Sequence, residues 1–161
     1  MIEIIPNWHP IFVNFTVALI SVSLFFYLIG YLSKKHRIGQ EWLIVGCWCL
    51  WLGTLLTIAT VIVGFVAYYS VAHDAKSHEA MVLHRNWAIA TFIIILAVFV
   101  WSVFSSIKKK PVSSLFILSM VIAFVLLTIA AWHGAELVFR YGVGVKPLLQ
   151  SGNSDKPHHH H

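Results

Sequence analysis

Long stretches of apolar residues, separated by short polar links, dominate the chain. Four of them are long enough for a helix to cross a bilayer, which takes about 20 apolar residues. They cover residues 10–32, 42–69, 84–107 and 114–136. Because the links are short, consecutive helices should run antiparallel. The pattern predicts an all-α fold: a four-transmembrane-helix bundle with up-down-up-down topology.

Composition supports an integral membrane protein. Hydrophobic residues make up 59% of the chain and charged residues 11%, with a mean hydropathy of +0.82. The four helices and their links use up residues 1–150, which we interpret as a single transmembrane domain with no room for a soluble one. Residues 151–161 form a polar tail that ends in four histidines and is typical of an affinity-tag remnant.

The charges predict an orientation. The links at residues 33–37 (SKKHR) and 108–111 (KKKP) are basic and have no acidic residue, so the positive-inside rule places both in the cytoplasm. The middle link, residues 70–83, mixes Asp74 and Glu79 with Lys76, and it should lie outside together with both termini. The basic pI near 9.4 then reflects topology, and we expect no nucleic-acid partner.

Histidines cluster at the predicted outer end. Apart from His36 and the tail, the histidines all fall there: His9, His73, His78, His84 and His133. An antiparallel bundle brings one imidazole from each helix to about the same depth. Interfacial anchoring, together with Trp8, Trp87, Trp132, Tyr68 and Tyr69, is the alternative. Anchors should occur at both rims, however, and the histidine ring occupies one.

A haem b is the first candidate cofactor for this ring. Two histidines on opposing helices can supply its axial nitrogens. Such a pair suits a diagonal of the bundle, either His9 with His84 or His73 with His133. We prefer His9 and His84 as the axial pair, and a ligand set that includes His133 stays open.

A non-haem metal centre is the second candidate. Copper, zinc or iron would be bound directly by three or four converging histidines. The candidate metal ligands are His9, His84, His133, His73 and His78, with Asp74, Glu79 or Glu136 as possible oxygen ligands.

The residue types favour redox chemistry over other activities. The sequence has no phosphate-binding glycine loop and no activated nucleophile, and no charged residue deep inside the four apolar runs that would indicate an ion pump. The function predicted first is a b-type cytochrome-like electron-transfer protein whose partner is quinol or a periplasmic electron carrier. If the protein is an enzyme, it is expected to be an oxidoreductase. The remaining alternative is an accessory or structural subunit, either as a homo-oligomer or within a larger membrane complex.

Small residues form a stripe along the second helix. Gly53, Thr57, Thr60 and Gly64 follow one another at intervals of four, three and four. Such stripes let helices approach closely in lipid. We expect this one to face a neighbouring helix.

The two ends of the chain resemble a known family. HPIFVNFTVAL at residues 9–19 and WHGAELVFRYGVGV at residues 132–145 are similar to the opening and closing motifs of a bacterial four-helix membrane protein family, domain of unknown function 2231. The resemblance implies a multi-pass protein of the bacterial inner membrane with a haem or metal link to electron transfer. Asn14, Thr16 and Ala135 depart from the family pattern. Asn14 stands where the family has a second histidine. If that histidine is a ligand in the family, this chain has either lost the ligand or uses Asn14 as a supporting partner.

Overall fold

The computed structural model describes residues 8–71 and 73–145 and contains four helices. These are α1 (His9–Leu32), α2 (Arg37–Ser70), α3 (Ala75–Ile107) and α4 (Ser114–Phe139). All four are long and apolar enough to cross a membrane. The predicted all-α, four-helix membrane fold is confirmed. The polar tail, residues 151–161, lies outside the described residues.

The helices form a square in which each contacts two neighbours. Helix α1 packs on α2 and α4, and α3 packs on the same two helices, so α1 and α3 lie on one diagonal. Lys34 and Lys110, from the two basic links, line one cavity. Both links therefore lie at one end of the bundle, which we name the lysine end. The opposite end, where α1 begins and α4 finishes, is named the histidine end.

Apolar side chains fill the centre of the square. Ile20, Leu50, Ile95 and Met120, one from each helix, are at most 1% exposed. Many other large apolar side chains point outward, as suits a surface in contact with lipid. A bilayer gives no hydrophobic drive to helix association, so close packing and interhelical hydrogen bonds must hold the helices together.

The small-residue stripe of α2 packs on α1, as expected. A Cβ atom added to Gly53 would lie 2.9 Å from Cδ1 of Ile20, and one added to Gly64 would lie 2.9 Å from Cε1 of His9. Thr57 and Thr60 between them are buried. The glycines therefore set how closely α1 approaches α2.

Helix α3 begins nine residues earlier than predicted, at Ala75 instead of His84. The cause is a capping box: the Asp74 carboxylate accepts a hydrogen bond from the Ser77 amide at 2.8 Å, and the Ser77 hydroxyl accepts one from the Asp74 amide at 3.0 Å. The Ser77 hydroxyl also donates to the Asp74 carboxylate, and this bond, followed by the one from the Ser77 amide, lowers the pKa of Asp74. His78, expected in a link, consequently lies in the first turns of α3.

Candidate functional site

His9 is fixed at the first turn of α1 by two features of its surroundings. Pro10 sits in the first helical turn, where its missing N–H costs nothing. The ring crosses to α2, where its Nδ1 lies 3.1 Å from the backbone oxygen of Thr60. The ring rests on Gly64, where any side chain would collide with it. His9 is thus oriented by α2 as well as by its own helix.

His84 repeats this arrangement on the other helix pair. Its Nδ1 lies 3.0 Å from the backbone oxygen of Ala130 on α4. A Cβ atom added to Gly134 would lie 3.1 Å from Cε1 of His84. In both cases the acceptor carbonyl precedes the glycine by four residues, which is one helical turn. The α1–α2 and α3–α4 hairpins therefore present their histidines in equivalent ways.

The two imidazoles meet across the α1–α3 diagonal. Their ring centroids are 6.4 Å apart and their planes are inclined at 73°. A carbonyl oxygen can only accept, so each Nδ1 must carry the proton and donate it. In its neutral form, each ring then has its lone pair on Nε2, a nitrogen suited to bind a metal.

A layer of hydroxyls lies beneath His9, toward the membrane centre. The Thr16 and Thr60 hydroxyls are 2.8 Å apart, and Thr60 also donates to the Leu56 carbonyl at 2.8 Å. Thr16 must therefore donate to Thr60, because a hydroxyl has one proton. Asn14, considered as a supporting partner, is exposed on the outer surface of α1.

His133 lies beside this pair and has other partners. Its Nδ1 is 3.5 Å from Oε2 of Glu136, and its ring stacks on Trp87 with centroids 6.4 Å apart and planes at 16°. Glu136 also accepts from Arg140 at 2.5 Å, and this hydrogen bond raises the pKa of Arg140. The arrangement joins the end of α4 to α3 next to the histidine pair.

His73 and His78 form a separate pair on the surface. Nε2 of His73 lies 3.0 Å from Nδ1 of His78, and the rings stack with centroids 5.1 Å apart. Both side chains are exposed. The structure thus brings together His9 with His84 and His73 with His78, rather than one ring of all these histidines.

Within residues 8–71 and 73–145, no group of three or more histidine, cysteine, aspartate or glutamate side chains is arranged to hold one metal ion. Sequence reasoning identified His9 and His84 but missed the groups that orient them. Thr60 and Ala130 accept through their backbone oxygens. Every residue type has such an oxygen, so the sequence gives no sign of which residues accept. The sequence marked Gly64 only as part of the small-residue stripe and Gly134 only as part of the closing motif.

A comparison with protein families covers nearly all of the described bundle. The family model described as "Predicted membrane protein (DUF2231)" matches residues 6–147. The chain belongs to the DUF2231 family. No curated protein and no solved structure matches it. For this DUF2231 protein, membership supports a multi-pass membrane location, and the candidate chemistry rests on the histidine end itself.

Proposed function

We propose that this DUF2231 protein is a b-type cytochrome-like electron-transfer protein, in which His9 and His84 would hold a haem b at the histidine end. A bound haem b would supply reversible one-electron chemistry. The protein's own residues orient the ligands.

The observation that carries the proposal is the anchoring of both imidazoles through Nδ1. A histidine that binds a metal almost always donates its other ring N–H to a carboxylate, a backbone carbonyl or water. His9 donates to the Thr60 oxygen and His84 to the Ala130 oxygen. An interfacial anchor does not need this arrangement, because an anchoring imidazole can direct its polar edge to water.

The spacing of the rings fits one metal atom between them. Two metal–nitrogen bonds of about 2.1 Å, plus about 1.1 Å from each nitrogen to its ring centre, place two imidazole centres about 6 Å apart. The centroids of His9 and His84 are 6.4 Å apart. At Gly64 and Gly134 a Cβ atom would collide with these rings, so the glycines leave room for them.

The number of ligands favours haem over a non-haem ion. Structural zinc takes four protein ligands and catalytic zinc three, and no such group occurs among the described residues. A haem iron takes four nitrogens from its macrocycle and needs no more than two from the protein. A pair of histidines therefore suffices for a haem iron but not for a zinc site of this kind.

The proposal extends to location and partner. By the positive-inside rule the lysine end faces the cytoplasm of a bacterium, which puts both termini and the histidine end on the periplasmic side of the inner membrane. Electrons would be exchanged there with quinol or a periplasmic carrier.

The test is the haem content of the protein, isolated from membranes of cells supplied with a haem precursor. We expect about one haem b per chain in the parent protein and almost none in His9→Ala or His84→Ala, which each remove an axial ligand. His78→Ala is the matched control, since it removes an exposed outer histidine, and it should keep the parent's haem content.

The same preparations separate the alternatives. Stoichiometric copper, zinc or iron without haem would replace the proposal with a non-haem metal site. If the parent protein contains neither haem nor metal, the histidines are interfacial anchors and the protein is an accessory or structural subunit.

A further inference from the structure

A second candidate binding site lies at the lysine end. The rise of α1 from His9 to Tyr27 puts it about 27 Å from the histidine pair. It is a cavity of about 630 Å³ between the two hairpins, a size typical of small-molecule sites. Its walls are strongly aromatic and are formed by Tyr27, Tyr31, Trp48, Trp51, Trp101 and Phe116.

A hydrogen-bonded cluster holds the inner wall of this cavity in place. The Ser102 hydroxyl lies 3.2 Å from the Tyr27 hydroxyl and accepts from Nε1 of Trp51 at 3.1 Å. Sγ of Cys47 is 3.6 Å from the same hydroxyl. Side chains from α1, α2 and α3 thus meet at one buried serine. The inner wall is therefore held by contacts among three helices.

The mouth of the cavity is positively charged. Lys34 places its Nζ 4.2 Å from the centre of the Tyr31 ring, which holds the ammonium group at the rim. Lys110 also lines the cavity. Lys109 before it takes a left-handed conformation, with φ of 50°, and the Lys110 amide donates to the Ser105 oxygen at 2.8 Å. None of the described residues that line the cavity is acidic.

The cavity also borders the lipid phase. Ile44 and Trp48 belong to its lining, and their side chains are 58% and 59% exposed. These residues lie on the outer surface of α2, where the bilayer would surround them. A molecule could therefore keep apolar chains in the membrane and place a polar group at the rim.

We propose that this cavity binds the headgroup of an anionic phospholipid, with its phosphate between Lys34 and Lys110 and its acyl chains along Ile44 and Trp48. Basic pockets between transmembrane helices commonly bind anionic headgroups. A neutral quinone would use the aromatic walls and leave two uncompensated ammonium groups at the rim. The positive charge of the cavity therefore favours an anionic phospholipid over a neutral quinone.

Native mass spectrometry of the full chain in detergent tests the proposal. Phosphatidylglycerol and phosphatidylcholine with identical acyl chains are titrated separately, and the one-to-one adduct is measured. We expect phosphatidylglycerol to bind at least tenfold more tightly. The double variant Lys34→Gln/Lys110→Gln should weaken its binding about 30-fold, since each lysine near an anionic headgroup contributes about fivefold.

The matched control is Lys35→Gln/Lys108→Gln, which removes the same charge from the same links but from residues outside the cavity lining. It should retain most of the affinity. Equal binding of phosphatidylcholine, or an equal loss in the control, would overturn the proposal. So would displacement of the lipid by a short-chain benzoquinone or by inorganic phosphate at matched concentration. None of these outcomes depends on haem binding at the histidine end.

Discussion

The rings of His9 and His84 lie 6.4 Å apart across the diagonal of the bundle, yet each is anchored to a helix of its own hairpin. His9 is bound to α2 through Thr60, and His84 to α4 through Ala130. The distance between the rings is therefore set by how the two hairpins pack. A cofactor between them would join the hairpins at the histidine end.

The glycines beneath the rings give the first prediction. Gly64→Ala should lower haem affinity about tenfold, which is the usual effect of disturbing a group that orients a metal ligand. The new methyl would lie 2.9 Å from Cε1 of His9 and displace the ring. Gly134→Ala should act in the same direction and less strongly, because its contact is 3.1 Å. Haem titration of the apoprotein measures both.

Gly53→Ala is the control for helix packing. It creates an equally close contact, 2.9 Å, but with Ile20 instead of a histidine. It should disturb the α1–α2 interface and leave haem affinity near the parent value. An equal loss of haem in Gly53→Ala would show that the glycines act only through packing.

The hydroxyl pair beneath His9 gives a prediction about stability. Thr16→Val removes the donor to Thr60 and keeps the side chain's shape, so the free energy of unfolding should fall by about 0.6 kcal/mol, the average for an interhelical hydrogen bond in a membrane. Reversible unfolding in mixed micelles measures this. Thr128→Val should change it less, since the exposed Thr128 bonds only within its own helix. An equal loss in both variants would contradict the role of the pair.

His133 tests how far the ligand set extends. It lies beside the His9–His84 pair with its ring stacked on Trp87, so we do not expect it to be an axial ligand. His133→Ala should keep the parent's haem stoichiometry, whereas His9→Ala loses the haem. Loss of haem from His133→Ala at unchanged helical content would move His133 into the ligand set.

Asp74 gives a prediction about pH. Hydrogen bonds from Ser77 lower its pKa in the folded protein, so its capping contribution is fully present above the unfolded pKa of about 3.9. It is lost as the pH falls through the lower, folded value. The protection of the first amides of α3, measured relative to their intrinsic exchange rate at each pH, should therefore fall below about pH 4. Asp74→Ala should show this lower protection even at pH 7, and Asp74→Asn, which also caps helices well, should not.

Sequence reasoning succeeded where one physical rule dominates. The length of the apolar runs is fixed by the bilayer, so the four helices followed from the pattern alone. Antiparallel packing then put His9 and His84 at one depth, and the diagonal argument selected them as a pair. The structure places them together.

It failed where local hydrogen bonding overrides hydropathy. Residues 75–83 are too polar to be recognised as part of a membrane-spanning run, but the Asp74–Ser77 capping box starts α3 there. The acceptors of His9 and His84 are backbone oxygens, and any residue type supplies one. Gly64 and Gly134 acquire their meaning only once the register between neighbouring helices is known.

Low-temperature electron paramagnetic resonance of the oxidised protein tests the central claim most directly. Two imidazole ligands would make ferric haem low-spin, so the pairing of His9 with His84 predicts a low-spin signal. We expect that signal in the parent and its loss in His84→Ala. A high-spin signal in the parent, a low-spin signal that survives in His84→Ala, or the absence of any haem signal would contradict the account.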